Sequence, residues 1–169
     1  FMADCGDGFD STYTISRLLA QPSLTVANER STEMKTLSRG QILIIGGDLV
    51  YPRPTPENFE SRFLRVFEDA LPSPINVPKY YEHHVSLTSS ENTMTYHEDG
   101  PVAYLIPGNH DWYDGLSCFV KYVLYREWLG GWKLPQKKSY FVLRLPHDWF
   151  VFGFDNGLEN DIDPQQAAY

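Results

Sequence analysis

A layered α/β fold is predicted by three observations in this sequence of 169 residues. Short aliphatic runs alternate with amphipathic helical segments, no internal repeat is present, and the last third contains two adjacent β-rich runs. Aliphatic runs without polar alternation are typical of strands that are covered on both faces. Strand–helix alternation followed by a β pair therefore predicts helices packed on a sandwich of sheets.

The first 45 residues predict a strand, a helix and a second strand. Residues 1–3 are the apolar end of a strand, and Asp10 or Ser11 can cap the amphipathic helix that follows. Residues 21–40 are polar, and a helical stretch is possible within them. The run at 42–45 is aliphatic throughout, which is typical of a strand buried on both faces.

Residues 52–100 form a region that we interpret as an insertion or loop region of the domain. A helix is predicted within it, because Thr55 and Pro56 have the order of an N-cap and a first helical residue. Apolar residues then recur at helical spacing as far as Ala70. Residues 72–100 are rich in Pro, Ser, Thr, Asn, Glu and His, which indicates a long surface excursion.

The second half of the chain predicts a strand, a helix and a hairpin. Residues 102–106 have the pattern of a buried strand, and residues 116–129 carry the apolar stripe of an amphipathic helix. The runs 140–145 and 149–154 are rich in aromatic and β-branched residues and are separated by a short polar segment. They therefore predict an antiparallel strand pair.

Charge and cysteine content limit the function classes. The chain has 14 Lys and Arg against 22 Asp and Glu, a net charge of −8, and thus lacks the basic surplus that nucleic acids or anionic membranes attract. The acidic balance suits cation binding. Cys5 and Cys118 cannot form a disulfide framework, so a reducing compartment such as the cytoplasm is favoured. We expect the chain to be cut at both ends. Whether a membrane segment lies beyond either end is therefore not decided by this sequence.

Polar clusters follow three of the predicted buried strands, and they are the most informative feature of the sequence. They occupy residues 4–8, 46–51 and 108–111. The carboxyl ends of neighbouring strands line the crevice in which α/β proteins build their sites. Asp and Asn side chains there offer oxygen ligands to divalent metals, and two metals can share one carboxylate. Taken singly, each cluster has a structural alternative as a turn or a helix cap.

The three clusters together resemble the first three motifs of calcineurin-like metallophosphoesterases. The matching patterns are Asp-x-Gly from Asp4, Gly-Asp-x-x-Tyr from Gly47 and Gly-Asn-His-Asp at 108–111. The resemblance implies a partial four-layer α/β/β/α sandwich over residues 1–169. It also implies hydrolysis of a phosphate ester by a metal-activated water at two divalent metal ions (Mn, Fe or Zn). The alternative is a catalytically degenerate scaffold member of the same fold.

The resemblance gives each residue of the clusters a role. Asp4 matches the aspartate that binds one metal, Asp48 the aspartate that bridges both, and Asn109 the asparagine on the second metal. His110 matches the histidine beside the phosphate, which acts as a general acid or an electrostatic stabiliser. Asp111 is expected to hold the other nitrogen of that imidazole and to fix its tautomer.

The first two motifs depart from the commonest form of the family. Gly6 stands where most members have a histidine, as it does in purple acid phosphatases. Those enzymes use a tyrosine of the second motif as a ligand of ferric iron, and Tyr51 stands at that position. Tyr51 either ligates a metal or packs beneath its loop, and packing is the expectation. Asp7 is a rival to Asp4 as the first ligand, because it can reach the same crevice.

The later histidine motifs of the family have no match in this sequence. His147 is the one histidine after the third motif, and it falls in a predicted turn. We therefore expect that the chain is truncated before those motifs, that it holds half of a metal site, and that this fragment alone is inactive. Trp112 and Tyr113 either form an apolar wall beside the leaving group or pack on the sheet.

Overall fold

The structure, a computed structural model, describes residues 1–27, 33–74, 101–158 and 161–169. Within these residues, helices cover one face of a central sheet and a two-stranded sheet covers the other. Most of the predicted surface excursion, at residues 75–100, lies outside the described residues. Across the described ranges, no helix is long and apolar enough to cross a membrane.

Helices and short strands alternate along the chain. The elements are α1 (Phe9–Leu19), β1 (Ser23–Ala27), β2 (Met34–Ser38), β3 (Ile42–Ile45), α2 (56–70), β4 (Val102–Leu105), α3 (117–124), β5 (Trp128–Leu129), β6 (Trp132–Lys133), β7 (Phe141–Arg144), β8 (Phe150–Gly153) and α4 (Pro164–Ala167). Helix α2 consists of Pro56–Asn58, a π-helical stretch Phe59–Leu64 and Arg65–Ala70. Helix α3 consists of Ser117–Phe119 and a π-helical stretch Val120–Leu124. Single 3₁₀ turns occupy Asp111–Asp114 and Pro146–Asp148.

The central sheet brings the ends of parallel segments to one edge. Its strand order is β3-β4-β6-β5, and β3 and β4 run parallel with Ile42 opposite Val102 and Ile45 opposite Leu105. On the other side of β3, Met2 forms a parallel bridge with Ile45. Three adjacent segments therefore end at the same edge, immediately before the three polar clusters.

The two faces of the sheet bury different layers. Phe59, Phe63 and Phe67 of α2 are fully buried on the helical face together with strand residues such as Ile45. On the opposite face, the rings of Tyr104 and Phe141 have centroids 5.1 Å apart, so that β7 and β8 form a second β layer. The fold is thus mixed α/β, and the described residues supply the helical layer and both β layers of an α/β/β/α sandwich.

Helix α2 begins where the sequence predicts. The Thr55 hydroxyl accepts a hydrogen bond from the Asn58 amide at 3.2 Å, which is the N-cap geometry expected for the residue before Pro56. The buried phenylalanines of α2 are part of the main core, so residues 56–70 are a core helix, and the interpretation of 52–100 as an insertion or loop region stays a prediction. Its later part lies outside the described residues.

Three helix predictions differ from the structure in detail. Strands β1 and β2 pair antiparallel within residues 21–40, where β-branched Thr and Val favour extended backbone. The helix predicted for 116–129 ends at Leu124, because Trp128–Leu129 pairs with β6 instead. At the first helix, Gly8 is the N-cap instead of Asp10 or Ser11.

Candidate metal centre

Two aspartates meet at the hydroxyl of Tyr51, at the edge where β3 ends. This hydroxyl lies 2.6 Å from Oδ2 of Asp48 and 3.2 Å from Oδ1 of Asp4. The expectation that Tyr51 packs beneath its loop is therefore wrong, because its hydroxyl faces both carboxylates. Burial, followed by the hydrogen bond to Asp48, raises the pKa of the Tyr51 phenol above its ordinary value.

Asp4 and Asp48 both have left-handed backbone conformations, with φ of 53° and 51°. Asp adopts this conformation more readily than most residues, but it is still uncommon, and such conformations concentrate at functional sites. The Asp4 amide donates to the Gly47 carbonyl at 3.0 Å, and the Gly6 amide donates to the Asp48 carbonyl at 3.3 Å. These two bonds hold the first loop (residues 4–8) beside the second loop (residues 46–51), and the third loop is residues 108–111.

Gly6 lies where the first loop crosses the second, and the crossing leaves no room for a side chain. A Cβ atom added there would lie 2.2 Å from Cα of Val50 and 2.3 Å from the carbonyl oxygen of Leu49. The Tyr51 amide donates to the Gly6 carbonyl at 3.1 Å, which fixes the approach. The histidine of the commoner first motif therefore does not fit this backbone.

The third loop holds the buried carboxylate of Asp48 in place. Its Oδ1 accepts a hydrogen bond from the His110 amide at 3.1 Å. A Cβ atom on Gly108 would lie 2.1 Å from the same oxygen, so a glycine is required at this close approach. Asp48 is thus fixed by one residue from its own loop and one from the loop after β4.

The imidazole of His110 lies between two tyrosine rings. Ring centroids are 4.4 Å apart for Tyr51 and His110 and 4.8 Å apart for His110 and Tyr113. Nδ1 of His110 lies 2.9 Å from the carbonyl oxygen of Pro52. Because a carbonyl can only accept, this bond places a proton on Nδ1 and leaves Nε2 as the nitrogen that can exchange a proton.

Asp111 does not hold the His110 ring, and the prediction that it does is wrong. Its carboxylate is fully buried and accepts hydrogen bonds from the Leu49 amide, at 3.1 and 3.2 Å, and from the Gly108 amide, at 2.8 Å. Burial raises the pKa of Asp111 to about 6, although the bonds from the Gly108 and Leu49 amides lower it. Asp111 therefore joins the second loop to the third. The Pro52 carbonyl, instead of Asp111, binds the Nδ1 atom of His110.

The two remaining predicted ligands are both exposed. The amide nitrogen of the Asn109 side chain lies 3.4 Å from the Tyr113 hydroxyl, and the next residue in the chain binds Asp48 through its backbone. Asp7 contacts Arg62, whose guanidinium donates to the Asp7 carbonyl at 2.9 Å. Between the rivals Asp4 and Asp7, Asp4 is the one that shares a hydrogen-bond partner with Asp48.

Comparison with known proteins agrees with this arrangement. The family model for calcineurin-like phosphoesterases matches residues 1–160. The chain belongs to the calcineurin-like phosphoesterase family. No curated protein and no solved structure matches it. Calcineurin-like phosphoesterases in general hydrolyse phosphate esters with the help of divalent metal ions.

The oxygen donors of this calcineurin-like phosphoesterase suit a hard or borderline cation. Within the described ranges, no group of three or more His, Cys, Asp and Glu side chains is placed to hold a metal ion. The two carboxylates of Asp4 and Asp48 nevertheless reach the same phenol oxygen of Tyr51. Three oxygen atoms that converge on one point fit the oxygen preference of such metals. The neighbouring Cys5 thiol is buried, and burial raises its pKa to about 12.

Asp155 and Gln166, which no sequence motif marks, support one of the residues that follow the third motif. Trp112, next to the third motif, donates from its indole nitrogen to Oδ1 of Asp155 at 2.9 Å. Asp155 is buried, and the Gln166 side chain pairs with its backbone amide at 2.8 Å and its carbonyl at 2.7 Å. Asp155 follows β8 and looks like an ordinary loop residue in the sequence, so no local signal marks this long-range contact.

Proposed function

We propose that this calcineurin-like phosphoesterase hydrolyses phosphate esters at a two-metal site in which Asp4, Asp48 and Asn109 are ligands. The observation that supports the proposal is the approach of the Asp4 and Asp48 carboxylates to the single hydroxyl of Tyr51. We propose Tyr51 as a further ligand for the same reason. Asp7 is not included, because Asp4 occupies the position beside Asp48.

Asp48 is the bridging ligand in this proposal. Each of its carboxylate oxygens accepts one hydrogen bond and keeps a lone pair for a metal ion. Oδ1 accepts from the His110 amide and Oδ2 from the Tyr51 hydroxyl. A carboxylate has about four lone-pair positions, so each oxygen keeps a position for a cation. Two divalent ions, when bound, neutralise the phosphoryl oxygens and lower the pKa of water.

His110 exchanges a proton with the substrate through Nε2. The Pro52 carbonyl keeps the proton on Nδ1, and the flanking rings of Tyr51 and Tyr113 hold the plane of the imidazole. When Nε2 is protonated, it can donate to the oxygen of the leaving alcohol. The same charged ring stabilises the phosphoryl oxygens electrostatically.

The test separates metal binding from proton transfer in the full-length protein loaded with Mn²⁺. Asp48→Asn is expected to abolish hydrolysis of phenyl phosphate and to lower the bound metal measured by elemental analysis. His110→Ala is expected to lower turnover by about 10²- to 10⁴-fold while the bound metal stays unchanged. Asp69→Asn, an exposed aspartate on α2, is the matched control. Equal metal loss in the Asp48 and His110 variants would contradict these roles.

A catalytically degenerate scaffold is the second candidate function. It is favoured by Gly6, because the crossing of the first two loops excludes a histidine ligand at this position. The scaffold function predicts that the full-length protein binds no Mn²⁺, Zn²⁺ or iron in equilibrium dialysis. Stoichiometric metal binding with hydrolysis of phenyl phosphate would eliminate it.

A further inference from the structure

A cavity of about 600 Å³ opens beside the candidate metal centre. Its volume lies in the range of small-molecule sites, which is roughly 300–1,000 Å³. The lining consists of Arg53, Pro54, Thr55, Trp112, Tyr113, Asp114 and Leu158. These residues come from the segment after Pro52, the segment after His110 and the loop after β8.

Two lining residues of the cavity, Arg53 and Tyr113, adjoin the groups that contact the His110 ring. The Pro52 carbonyl that binds the imidazole precedes Arg53 in the chain, and the Tyr113 ring packs on the imidazole with centroids 4.8 Å apart. An ester whose phosphoryl group lies beside His110 can therefore extend its alcohol part past Tyr113 toward this cavity. Trp112 lines the cavity, and the hydrogen bond from its indole nitrogen to Asp155 fixes the position of its ring.

The cavity offers apolar surface and one positively charged side chain to a ligand. Tyr113 is 52% exposed and Leu158 is 53% exposed, so both offer apolar surface to a ligand. The guanidinium of Arg53 is exposed and has no ion-pair partner within the described part of the chain. A guanidinium offers paired N–H donors that match a carboxylate or phosphate.

Asp114, the one acidic residue of the lining, does not present a free carboxylate to a ligand. One of its carboxylate oxygens accepts a hydrogen bond from the Cys118 amide at 2.9 Å. Its other oxygen is buried and, among the described residues, has no hydrogen-bond partner. Arg53 is therefore the charged group of the lining that a ligand can reach.

We infer that this cavity is the subsite for the leaving alcohol, and that it selects phosphate esters whose aromatic body carries a second anionic group. The inference rests on the proposed function for its position beside the reacting phosphate. Tyr113 and Leu158 contact the aromatic body, and Arg53 contacts the second anion.

The experiment compares two probes, phenyl phosphate and 4-carboxyphenyl phosphate, in the full-length protein loaded with Mn²⁺. The measured quantity is the ratio of kcat/KM for the carboxylated ester to that for phenyl phosphate. Arg53→Gln is expected to lower this ratio about three- to fivefold, the effect of losing one exposed ion pair. Arg65→Gln on α2 is the matched control, and its ratio is expected to stay that of the wild type.

A binding measurement in the presence of a metal chelator makes the test independent of turnover. Titration with 4-hydroxybenzoate is expected to shift the NMR signal of the Trp112 indole N–H in the wild type and to shift it less in Arg53→Gln. Hydrolysis with an unchanged ratio in Arg53→Gln overturns the inference and leaves the proposed function intact. Absence of hydrolysis overturns the proposed function. In that case, an equal shift of the Trp112 signal in wild type and Arg53→Gln overturns the cavity as an anion-selective site. A smaller shift in Arg53→Gln than in the wild type supports it.

Discussion

The hydroxyl of Tyr51 lies 2.6 Å from Oδ2 of Asp48, on a segment that turns back toward the end of β3. The same hydroxyl lies 3.2 Å from Asp4, so that residues of two loops share one phenol oxygen. Such a phenol can bind a metal together with the two carboxylates. A phenolate is a hard anionic donor and favours a trivalent ion over a divalent one.

The first prediction is that Tyr51→Phe removes a visible absorption band. If Tyr51 binds ferric iron, the iron-loaded protein has a ligand-to-metal charge-transfer colour, and the variant loses the phenolate oxygen that produces it. Absorption spectra of both proteins at equal iron content provide the measurement. Tyr125→Phe, at an exposed tyrosine after α3, is the control. A colourless wild-type protein with bound ferric iron would rule out the tyrosinate ligand and leave the phosphoesterase proposal unaffected.

The second prediction concerns Asp111 as a structural residue. Asp111→Ala leaves the buried Leu49 amide and the half-buried Gly108 amide without an acceptor, and an unsatisfied buried donor costs about 1–3 kcal/mol. Urea denaturation is expected to show a loss in the free energy of unfolding of roughly 2–4 kcal/mol. His110→Ala keeps the backbone bond to Asp48 and should lose much less. Similar losses in the two variants would show that Asp111 does not tie the loops together.

The third prediction is the pH dependence of the same carboxyl group. Burial raises the pKa of Asp111 to about 6, so its ionised form is disfavoured in the folded state. Its contribution to stability is fully present below the ordinary aspartate pKa and is lost as the pH rises through about 6. In Asp111→Asn this titration is absent. The stability difference between wild type and Asp111→Asn, measured by urea denaturation, should therefore fall between pH 4 and pH 7 and should stay constant if the pKa is ordinary.

Local patterns in the sequence predict the strand ends but do not predict the contacts between loops. The aliphatic runs at 42–45 and 102–106 lead directly to Asp48 and Asn109, because a strand carries its own signal of burial. The carboxylate of Asp111 accepts a hydrogen bond from the amide of Leu49, 62 positions away in the sequence. Which amide it meets depends on how the second and third loops pack together. The direction of the Tyr51 side chain is set by the same packing of loops. Motif spacing gives a residue type at a position, whereas side-chain direction depends on backbone from elsewhere in the fold.

The fourth prediction is that Gly6→Ala is strongly destabilising. The added Cβ would meet backbone atoms of Leu49 and Val50, which cannot move as a side chain can. We expect a loss of about 1–3 kcal/mol in the free energy of unfolding, the usual cost of overpacking. Gly40→Ala is the matched control, because the nearest atom to its Cβ is 3.7 Å away. If both variants unfold at the same urea concentration, the close crossing of the loops is not present in solution.

The last prediction is that the Cys118 thiol is unreactive in the folded protein. Burial, together with the hydrogen bond to Asp114, raises its pKa to about 12, so almost none of the reactive thiolate is present at pH 8. We expect slow labelling by iodoacetamide, measured by mass spectrometry of the Cys118 peptide, and rapid labelling of the same peptide in urea. Asp114→Asn removes the charge beside the thiol but leaves it buried, so labelling should remain slower than in urea. Because reaction requires both a thiolate and access, fast labelling of the native protein would mean that helix α3 opens and exposes the side chain beneath it.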